Sequence, residues 1–348
     1  VKTQSLKDGK MYACKTMKQT INSVEQANNL REVQAMRRLS PHANIIHLHE
    51  LIFDKETGTV SLICELMEMN IYEFIKGGRE TPPSDHTVKH YMYQLCKSLD
   101  HMHSCGIFHR DVKPENILIR QNVLKLGDFG SCRSVHSQPP HTEYISTRWY
   151  RAPECLLTDG YYSLKMDIWS AGCVFFEIMS LNPLFPGANE LDQIAKIHDV
   201  LGTPEQCVLR KFKQSRAMHF NFPAKKGSGI SRLLPNCAAP AVSLLYQMLA
   251  YDADERITAA SQYIFIASIS TPLQHNTKHI AEPLSRRNAS HYELPKLKLA
   301  APGPQRSFPG STPPVFAFTH RGTLPAISAK KCQSRLAKVV TLITFFQW

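Results

Sequence analysis

The sequence lacks the features of a membrane or secreted protein. It has no run of about 18 apolar residues, which a membrane-spanning helix needs, and it does not open with a charged and then apolar signal segment. Its ten cysteines are scattered without a Cys-x-x-Cys pair, a pattern that favours free thiols in a reducing compartment. We therefore expect no membrane span and a cytoplasmic location, with the nucleus as a second compartment.

Acidic residues are scarce at the C-terminal end of the chain. From Ala259 onward there are eleven Lys and Arg but only two Asp and Glu, so +9 of the net charge of +12 lies in this segment. Residues 272–325 are rich in Pro, Ser and Gly and show no periodicity, which predicts a disordered basic tail over 259–348. Such tails are more often solvated extensions than binding surfaces, so we do not expect nucleic acid as a partner.

The body of the chain reads as a strand-rich segment followed by a helical one. The 348 residues are 43% hydrophobic, which is enough for a large buried core. An Asp-Gly turn predicts a hairpin near the N-terminus, and apolar residues at helical spacing predict several helices further on. The predicted elements are a hairpin ending at Lys15, a helix over Val24–Leu39, a strand over Thr59–Leu66, and helices over His90–Met102 and Asp167–Met179.

Residues 109–130 carry the most informative motifs. The run 109–116 reads His-Arg-Asp-Val-Lys-Pro-Glu-Asn, and 128–130 reads Asp-Phe-Gly. Moving a phosphoryl group from ATP to a hydroxyl needs one carboxylate near the hydroxyl proton, and a second carboxylate with an amide oxygen to hold magnesium. Asp111, Asp128 and Asn116 supply this set. The segment 117–126 predicts two short strands around a polar turn, a hairpin that would bring both carboxylates to one cleft.

These two motifs, in this order and 17 residues apart, resemble those of eukaryotic protein kinases. The resemblance implies an α+β, two-lobed kinase fold with ATP and Mg²⁺ bound between the lobes. A small, β-rich N-lobe would cover residues 1–69, a larger α-helical C-lobe 70–258, and the tail 259–348. Motifs at 149–154, 184–187 and 201–204 are similar to the branch with the cyclin-dependent and mitogen-activated kinases. That branch implies phosphorylation of protein substrates at Ser/Thr-Pro sites.

The resemblance assigns chemical roles to individual residues. Asp111 would accept the hydroxyl proton, and Lys113 would steady the charge of the transferring phosphoryl group. Asn116 and Asp128 would hold magnesium, because hard cations prefer oxygen ligands. The residues implied to bind ATP are Lys15 and Glu32, which orient the phosphates, and Glu65 and Met67, whose backbone would meet the adenine at the hinge.

The triplet Thr142-Glu143-Tyr144 resembles the dual-phosphorylation lip of mitogen-activated kinases. Activation by phosphates on Thr142 and Tyr144 would follow, added by an upstream kinase or by autophosphorylation. The added negative charge must meet cations. The arginines implied for this purpose are Arg31, Arg110 and Arg133 for Thr142, and Arg148 and Arg151 for Tyr144.

Other motif residues are expected to support the site. His109 is predicted to be structural, and Asp167 to cap its helix and brace the backbone of residues 109–111. Glu154 is expected to pair with Arg256. By the family pattern, Cys64 lies at the gatekeeper position behind the adenine.

One kinase feature is missing. Kinases cover the ATP phosphates with a glycine-rich loop before the lysine strand, and the fourteen residues before Lys15 lack this pattern. The sequence therefore indicates an incomplete N-lobe and weaker ATP binding. An alternative to catalysis stays open, in which a truncated, weakly active or inactive kinase acts as a binding or scaffold protein. A nucleic-acid or anionic-surface binder would rest on the charge of the tail alone.

Overall fold

Two hairpins build the N-terminal sheet. In the computed structural model, which describes residues 1–78, 81–142, 147–212 and 221–269, four antiparallel strands lie in the order β1-β2-β4-β3. Strand β4 buries every second residue, the alternation expected of a sheet with one covered face. The predicted N-terminal hairpin is confirmed. The strands are β1 (Lys2–Gln4), β2 (Met11–Thr16), β3 (Leu48–Asp54) and β4 (Thr59–Glu65).

Two helices, α1 (Val24–Asn28) and α2 (Arg31–Leu39), connect β2 to β3. The prediction of one continuous helix over this segment was wrong. Two consecutive asparagines, Asn28 and Asn29, are poor helix formers and end α1, and Leu30 is extended, with φ −56° and ψ 134°. Helix α2 is therefore a separate helix, and its own apolar face packs against the core.

The C-terminal lobe is built around two long helices, α4 and α6. Helix α6 is buried on nearly every side, as its continuous apolar run predicted. The elements after β4 are β5 (Met69–Asn70), α3 (Ile71–Gly77), α4 (Asp85–Ser104), β6 (Ile107–Phe108), β7 (Ile117–Arg120), β8 (Val123–Leu126), β9 (Arg133–Ser134), α5 (Pro153–Leu157), α6 (Lys165–Ser180), α7 (Glu190–Leu201), α8 (Gln206–Leu209), α9 (Ile230–Leu233), α10 (Ala239–Met248) and α11 (Ala259–Ile269).

The β7–β8 hairpin sets the spacing of the two central motifs. Its turn consists of Gln121 and Asn122, both at positive φ (49° and 62°), the geometry that matches the twist of a two-residue hairpin. Because Ile117 pairs with Leu126, the residues just outside the hairpin also meet, and the Gly127 amide donates to the Asn116 carbonyl at 2.9 Å. The predicted hairpin is confirmed, and it holds Asn116 close to Asp128.

Helix α11 corrects the prediction of a disordered tail from residue 259. Its Ala259 and Ile266 are buried, and its Gln262 accepts a hydrogen bond from Cys96 of α4 at 3.2 Å. The segment folds because it is rich in apolar side chains, and the proline-rich composition starts only at Pro272. Residues 270–348 lie outside the described part of the chain. Among the residues described, no helix is both long and apolar enough to cross a bilayer.

A buried ion pair joins distant parts of the C-terminal lobe. Two Arg256 nitrogens donate to the Glu154 carboxylate at 2.7 and 3.0 Å, and both side chains are almost fully buried. Arg256 also donates to the carbonyls of Ala250 (3.1 Å) and Lys165 (2.8 Å). The predicted pair is present, and the guanidinium uses its fork to tie α5, α6 and the segment before α11 together.

Arg256→Met should therefore destabilise the fold by about 3–5 kcal/mol, because it leaves the Glu154 charge buried and unpaired. Lys225→Met is the matched control. It breaks an exposed pair with Asp199 (2.6 Å) and should cost no more than about 1 kcal/mol. Urea unfolding followed by circular dichroism measures both free energies. Equal costs for the two variants would contradict this role of the buried pair.

Candidate active site

One buried carboxylate fixes the backbone of the loop at 109–111 through hydrogen bonds. Asp167 is fully buried on α6, and its oxygens accept from the backbone amides of His109 and Arg110, both at 2.8 Å. His103 bonds to the same carboxylate at 2.9 Å. The predicted bracing role is confirmed, but the predicted cap is wrong. Leu164 is the N-cap residue, and Asp167 sits in the first turn with both oxygens directed outside the helix.

The electrostatics of Asp167 follow from these contacts. Burial by itself raises its pKa, but the hydrogen bond and charge of His103, with the amide of His109, hold the pKa below the ordinary aspartate value. The carboxylate therefore stays ionised. Arg110 adopts a left-handed backbone, with φ 70°, a conformation that a non-glycine residue keeps only where its surroundings enforce it.

The two carboxylate oxygens of Asp111 differ in their hydrogen bonding. Its Oδ2 accepts from Asn116 Nδ2 and lies beside Lys113 Nζ, each at 3.0 Å. Its Oδ1 is buried and has no hydrogen-bond partner among the residues described. His109 contacts backbone atoms, with Nδ1 accepting from the Asp111 amide (3.2 Å) and Nε2 bonded to the Gly127 carbonyl (2.9 Å), which supports the expected structural role. Asp111 thus has an oxygen placed to accept a proton.

The donor set fits magnesium. The side-chain amide of Asn116 donates to the Asp111 carbonyl (2.8 Å) and carboxylate, which leaves its Oδ1 for a cation. Asp128, with φ 59°, accepts from Lys15 Nζ through Oδ1 at 2.8 Å. Hard oxygen atoms suit Mg²⁺, and these two side chains would leave part of its octahedral shell to other oxygen ligands. When bound, Mg²⁺ would offset phosphate charge.

Lys15 links the sheet, α2 and the Asp-Phe-Gly segment. Its Nζ lies 2.7 Å from Glu32 Oε1 and 2.8 Å from Asp128 Oδ1. Burial lowers the pKa of Lys15, but the two carboxylates raise it above the ordinary value, so the ammonium remains charged. Burial raises the pKa of Glu32 above its ordinary value. Burial also opposes ionisation of Asp128, but the charge of Lys15 lowers the pKa of Asp128 below its ordinary value. The structure brings this predicted set together.

An open cleft lies beside Lys15. Glu65 and Met67 line it, and Cys64 is buried among its apolar walls, where burial raises the pKa of the thiol to about 12. The Glu65 amide already donates to the His47 carbonyl at 3.4 Å. Neither backbone polar group of Met67 bonds to another described residue. The backbone of Met67 is therefore the better-placed hinge contact for a planar heterocycle.

Three of the predicted phosphate-binding arginines differ in how they relate to Thr142. The buried Arg110 donates to the Tyr162 hydroxyl at 3.0 Å, and that hydroxyl donates to the Thr142 carbonyl at 2.7 Å. Arg133 pairs its strand with β6 nearby, whereas Arg31 is exposed at the start of α2. Tyr162 was missed at the level of sequence, because a tyrosine in a loop carries no signal of this bridging position.

The other two arginines point to α7 and the loop before it. Arg148 donates to the Ala188 carbonyl at 2.9 Å, and Arg151 pairs with Glu190 at 3.1 Å. Tyr144, their expected phosphorylated partner, lies outside the described residues. Their role in activation stays a prediction.

The profile of the family described as protein kinase domain matches residues 1–264. The chain belongs to the protein kinase family. Its match runs past residue 258, where the sequence resemblance was expected to end, and so takes in the first half of α11. The two lobes described above are the β-sheet and helical lobes of this kinase fold.

Three relatives place the kinase more closely. It is 70% identical over 259 residues to the MAPK/MAK/MRK overlapping kinase of Homo sapiens, covering 74% of this chain and 62% of the relative. It is 40% identical to the serine/threonine-protein kinase ICK of Rattus norvegicus (80% and 44% covered) and 41% identical to the cyclin-dependent kinase F-4 of Oryza sativa subsp. japonica (73% and 54%). The chain thus spans about three fifths or less of these relatives.

Asp167→Asn should lower the free energy of unfolding by about 1–3 kcal/mol near neutral pH, because an amide cannot accept from both backbone donors. The folded-state pKa is lowered, so the carboxylate stabilises the kinase above the ordinary value of 3.8 and loses this effect as pH falls through the folded value. The difference from wild type should shrink in acid. Urea unfolding at several pH values checks this, with Asp199→Asn as the exposed control. A difference independent of pH would contradict it.

Proposed function

We propose that this kinase transfers the γ-phosphoryl group of ATP, with Mg²⁺, to Ser and Thr hydroxyls of protein substrates. One observation carries the proposal. Asp111 Oδ1 is buried and unpartnered beside Lys113 and Asn116, in the same site as the ion-paired Lys15 and Asp128. The relatives named as serine/threonine-protein kinases support the choice of acceptor.

The residues divide the work of the transfer. The acceptor oxygen bonds to the γ-phosphorus as the bond to ADP breaks, and the hydroxyl proton passes to Asp111 Oδ1. Lys113 Nζ, 3.0 Å from Asp111, offsets charge on the transferring group. The ion pair with Glu32 keeps the Lys15 ammonium charged, so that it can orient the ATP phosphates. Asn116 and Asp128 would hold the magnesium.

We further propose that the acceptor residue is followed by proline. At the surface where 147–151 meets 187–193, backbone carbonyls are already occupied. Trp149 donates to the Gly187 carbonyl at 3.1 Å, and Gln193 donates to the Trp149 carbonyl at 3.4 Å. Arg148 donates to the Ala188 carbonyl at 2.9 Å, so three backbone carbonyls in the described part of this surface already have a donor and are not open to a substrate amide. A proline brings no amide hydrogen, so it suits this surface.

Regulation by phosphorylation of Thr142 and Tyr144 is part of the proposal. Thr142 is exposed, and its backbone is joined to the buried Arg110 through Tyr162. A phosphate there adds about −1.5 to −2 charge and would order this segment against cations. The modifying enzyme is either an upstream kinase or the chain itself.

We also propose a cytoplasmic and nuclear location. The nine cysteines in the described part of the chain are free, and Cys207 is exposed. Exposed free thiols persist in reducing compartments.

Asp111→Asn should reduce phosphate transfer to a Ser-Pro peptide by about 10²–10⁴-fold, because the amide cannot take the proton. Transfer of labelled phosphate from ATP with Mg²⁺ measures this, and Glu56→Gln serves as an exposed control. Nucleotide binding, followed separately by a fluorescent ATP analogue, should survive in Asp111→Asn. If the wild type incorporates no more phosphate than Asp111→Asn, the proposed activity is wrong.

A Ser-Pro peptide should be phosphorylated about 5- to 150-fold faster than its Ser-Ala counterpart, because alanine would bury an unsatisfied amide. A peptide with N-methylalanine after the serine separates the causes, since it lacks the amide hydrogen but has no ring. It should recover most of the rate. Equal rates for Ser-Pro and Ser-Ala would refute proline preference.

A further inference from the structure

Met67 differs from its neighbours in how its backbone is bonded. Residues 65–69 line the ATP cleft as a short hinge at the end of β4. The Glu65 amide, the Leu66 carbonyl and the Glu68 amide each form a hydrogen bond, whereas neither backbone polar group of Met67 bonds to another described residue. The backbone groups of Met67 can therefore serve a ligand, provided that they face the cleft.

Two hydrogen bonds fix the peptide groups on either side of Met67. The Leu66 carbonyl accepts from Arg120 Nη1 at 3.2 Å, and the Glu68 amide donates to the Ile119 carbonyl at 3.0 Å. Both partners belong to β7, and neither of them lines the cleft. The bonded carbonyl and amide therefore point away from the cleft, towards the β7–β8 hairpin.

The geometry of the peptide bond extends this constraint to Met67. A peptide unit is planar, and in its trans form the C=O and N–H point in opposite directions. Neither peptide of Met67 is cis. Because Arg120 holds the Leu66 carbonyl outward, the Met67 amide in the same unit points inward. The bond from Glu68 to Ile119 directs the Met67 carbonyl inward in the same way. One residue thus presents a donor and an acceptor to the cleft.

The two anchoring contacts differ in their dependence on sequence. The Ile119 carbonyl continues the ladder in which Met69 pairs with Ile119, and any residue at position 119 could provide it. The contact to Leu66 comes from a side chain. Arg120 is exposed, and among the described residues its guanidinium bonds only to this carbonyl. The orientation of the Met67 amide therefore depends on the identity of residue 120.

Other contacts attach the hinge to the same hairpin. Lys125 Nζ lies 2.8 Å from Glu65 Oε1, and the Gln121 amide donates to Glu68 Oε2 at 3.2 Å. Neither contact involves the peptide that Arg120 holds. Loss of the Arg120 side chain should therefore free the rotation of one peptide unit while the hinge stays in place.

We propose that Arg120 is a positioning residue for ATP, because it holds the Leu66–Met67 peptide so that the Met67 amide donates to a ring nitrogen of adenine. The proposal rests on the proposed function, since it requires ATP in the cleft. Adenine has a ring nitrogen on each side of its amino group, N1 and N7, so either edge presents an acceptor next to a donor. This pattern matches the donor and acceptor of Met67.

Replacement of Arg120 tests this role through ATP binding. Arg120→Met removes the donors but keeps an aliphatic side chain. It should raise the Kd for ATP about three- to thirtyfold, whereas kcat at saturating ATP should change by less than about twofold, because Arg120 does not touch the reacting atoms. Titration calorimetry with ATP and Mg²⁺ measures the Kd. Arg120→Lys keeps one charged donor and should recover part of the affinity.

Arg232→Met is the matched control. It removes the same group from an exposed position on α9 and should bind ATP as the wild type does. Thermal unfolding of the Arg120→Met chain should match that of the wild type. An unchanged Kd for ATP in Arg120→Met, or an equal loss of affinity in Arg232→Met, would show that the inference is wrong.

ATP analogues test whether Arg120 acts through the Met67 amide. In 1-deaza-ATP and 7-deaza-ATP a CH group replaces one ring nitrogen, so one of them leaves the amide without an acceptor. The wild type should bind that analogue about tenfold more weakly than ATP. Arg120→Met should lose most of this discrimination, because its amide is no longer aligned. The same discrimination in both chains, or none in the wild type, would contradict the inference.

Binding and transfer are measured separately, so this inference and the proposed activity can fail independently. A chain that transfers no phosphate, but binds ATP more weakly after Arg120→Met, supports the positioning role and refutes the activity. An active chain whose Kd for ATP does not change in Arg120→Met refutes the positioning role alone.

Discussion

The buried Asp167 carboxylate is the constraint on which the catalytic loop depends. It sits on α6, the helix at the centre of the C-terminal lobe, and accepts from two successive amides, those of His109 and Arg110. This contact fixes the strained backbone of Arg110, with φ 70°. Asp111 is the next residue, so its position is set by the packing of α6. The buried Asp167 carboxylate therefore links the position of Asp111 to the packed core of the C-terminal lobe.

The other half of the site comes from the sheet and the hairpin. Lys15 lies on β2, Glu32 on α2 and Asp128 after β8, so one ammonium ties together three elements that are far apart in the chain. Burial disfavours the charged form of each of the three side chains, and the ion pairs of Lys15 with the two carboxylates offset this cost. Removing Lys15 leaves both carboxylates unpaired, whereas removing Glu32 or Asp128 leaves Lys15 with one partner, so the set depends on Lys15.

The motifs predicted which residues meet in the site better than they predicted the elements that support it. Spacing and residue type were enough for Asp111, Asn116 and Asp128, because a hairpin of alternating apolar residues has one register. The break between α1 and α2 was missed, since the apolar spacing runs through Asn28 and Asn29 without interruption. Helix α11 was missed because charge and composition were averaged over a tail whose first residues differ from the rest. The bridging position of Tyr162 depends on tertiary contacts that no local pattern encodes.

The proposed function requires that Asn116 and Asp128 hold a divalent cation with the ATP phosphates while Asp111 stays free to take a proton. A crystal structure with a non-hydrolysable ATP analogue and Mn²⁺ tests it most directly, because the anomalous signal locates the metal. We expect a metal about 2.0–2.2 Å from oxygens of both Asn116 and Asp128, with Asp111 Oδ1 uncoordinated. A metal bound elsewhere, or coordinated by Asp111 in place of Asp128, would contradict it.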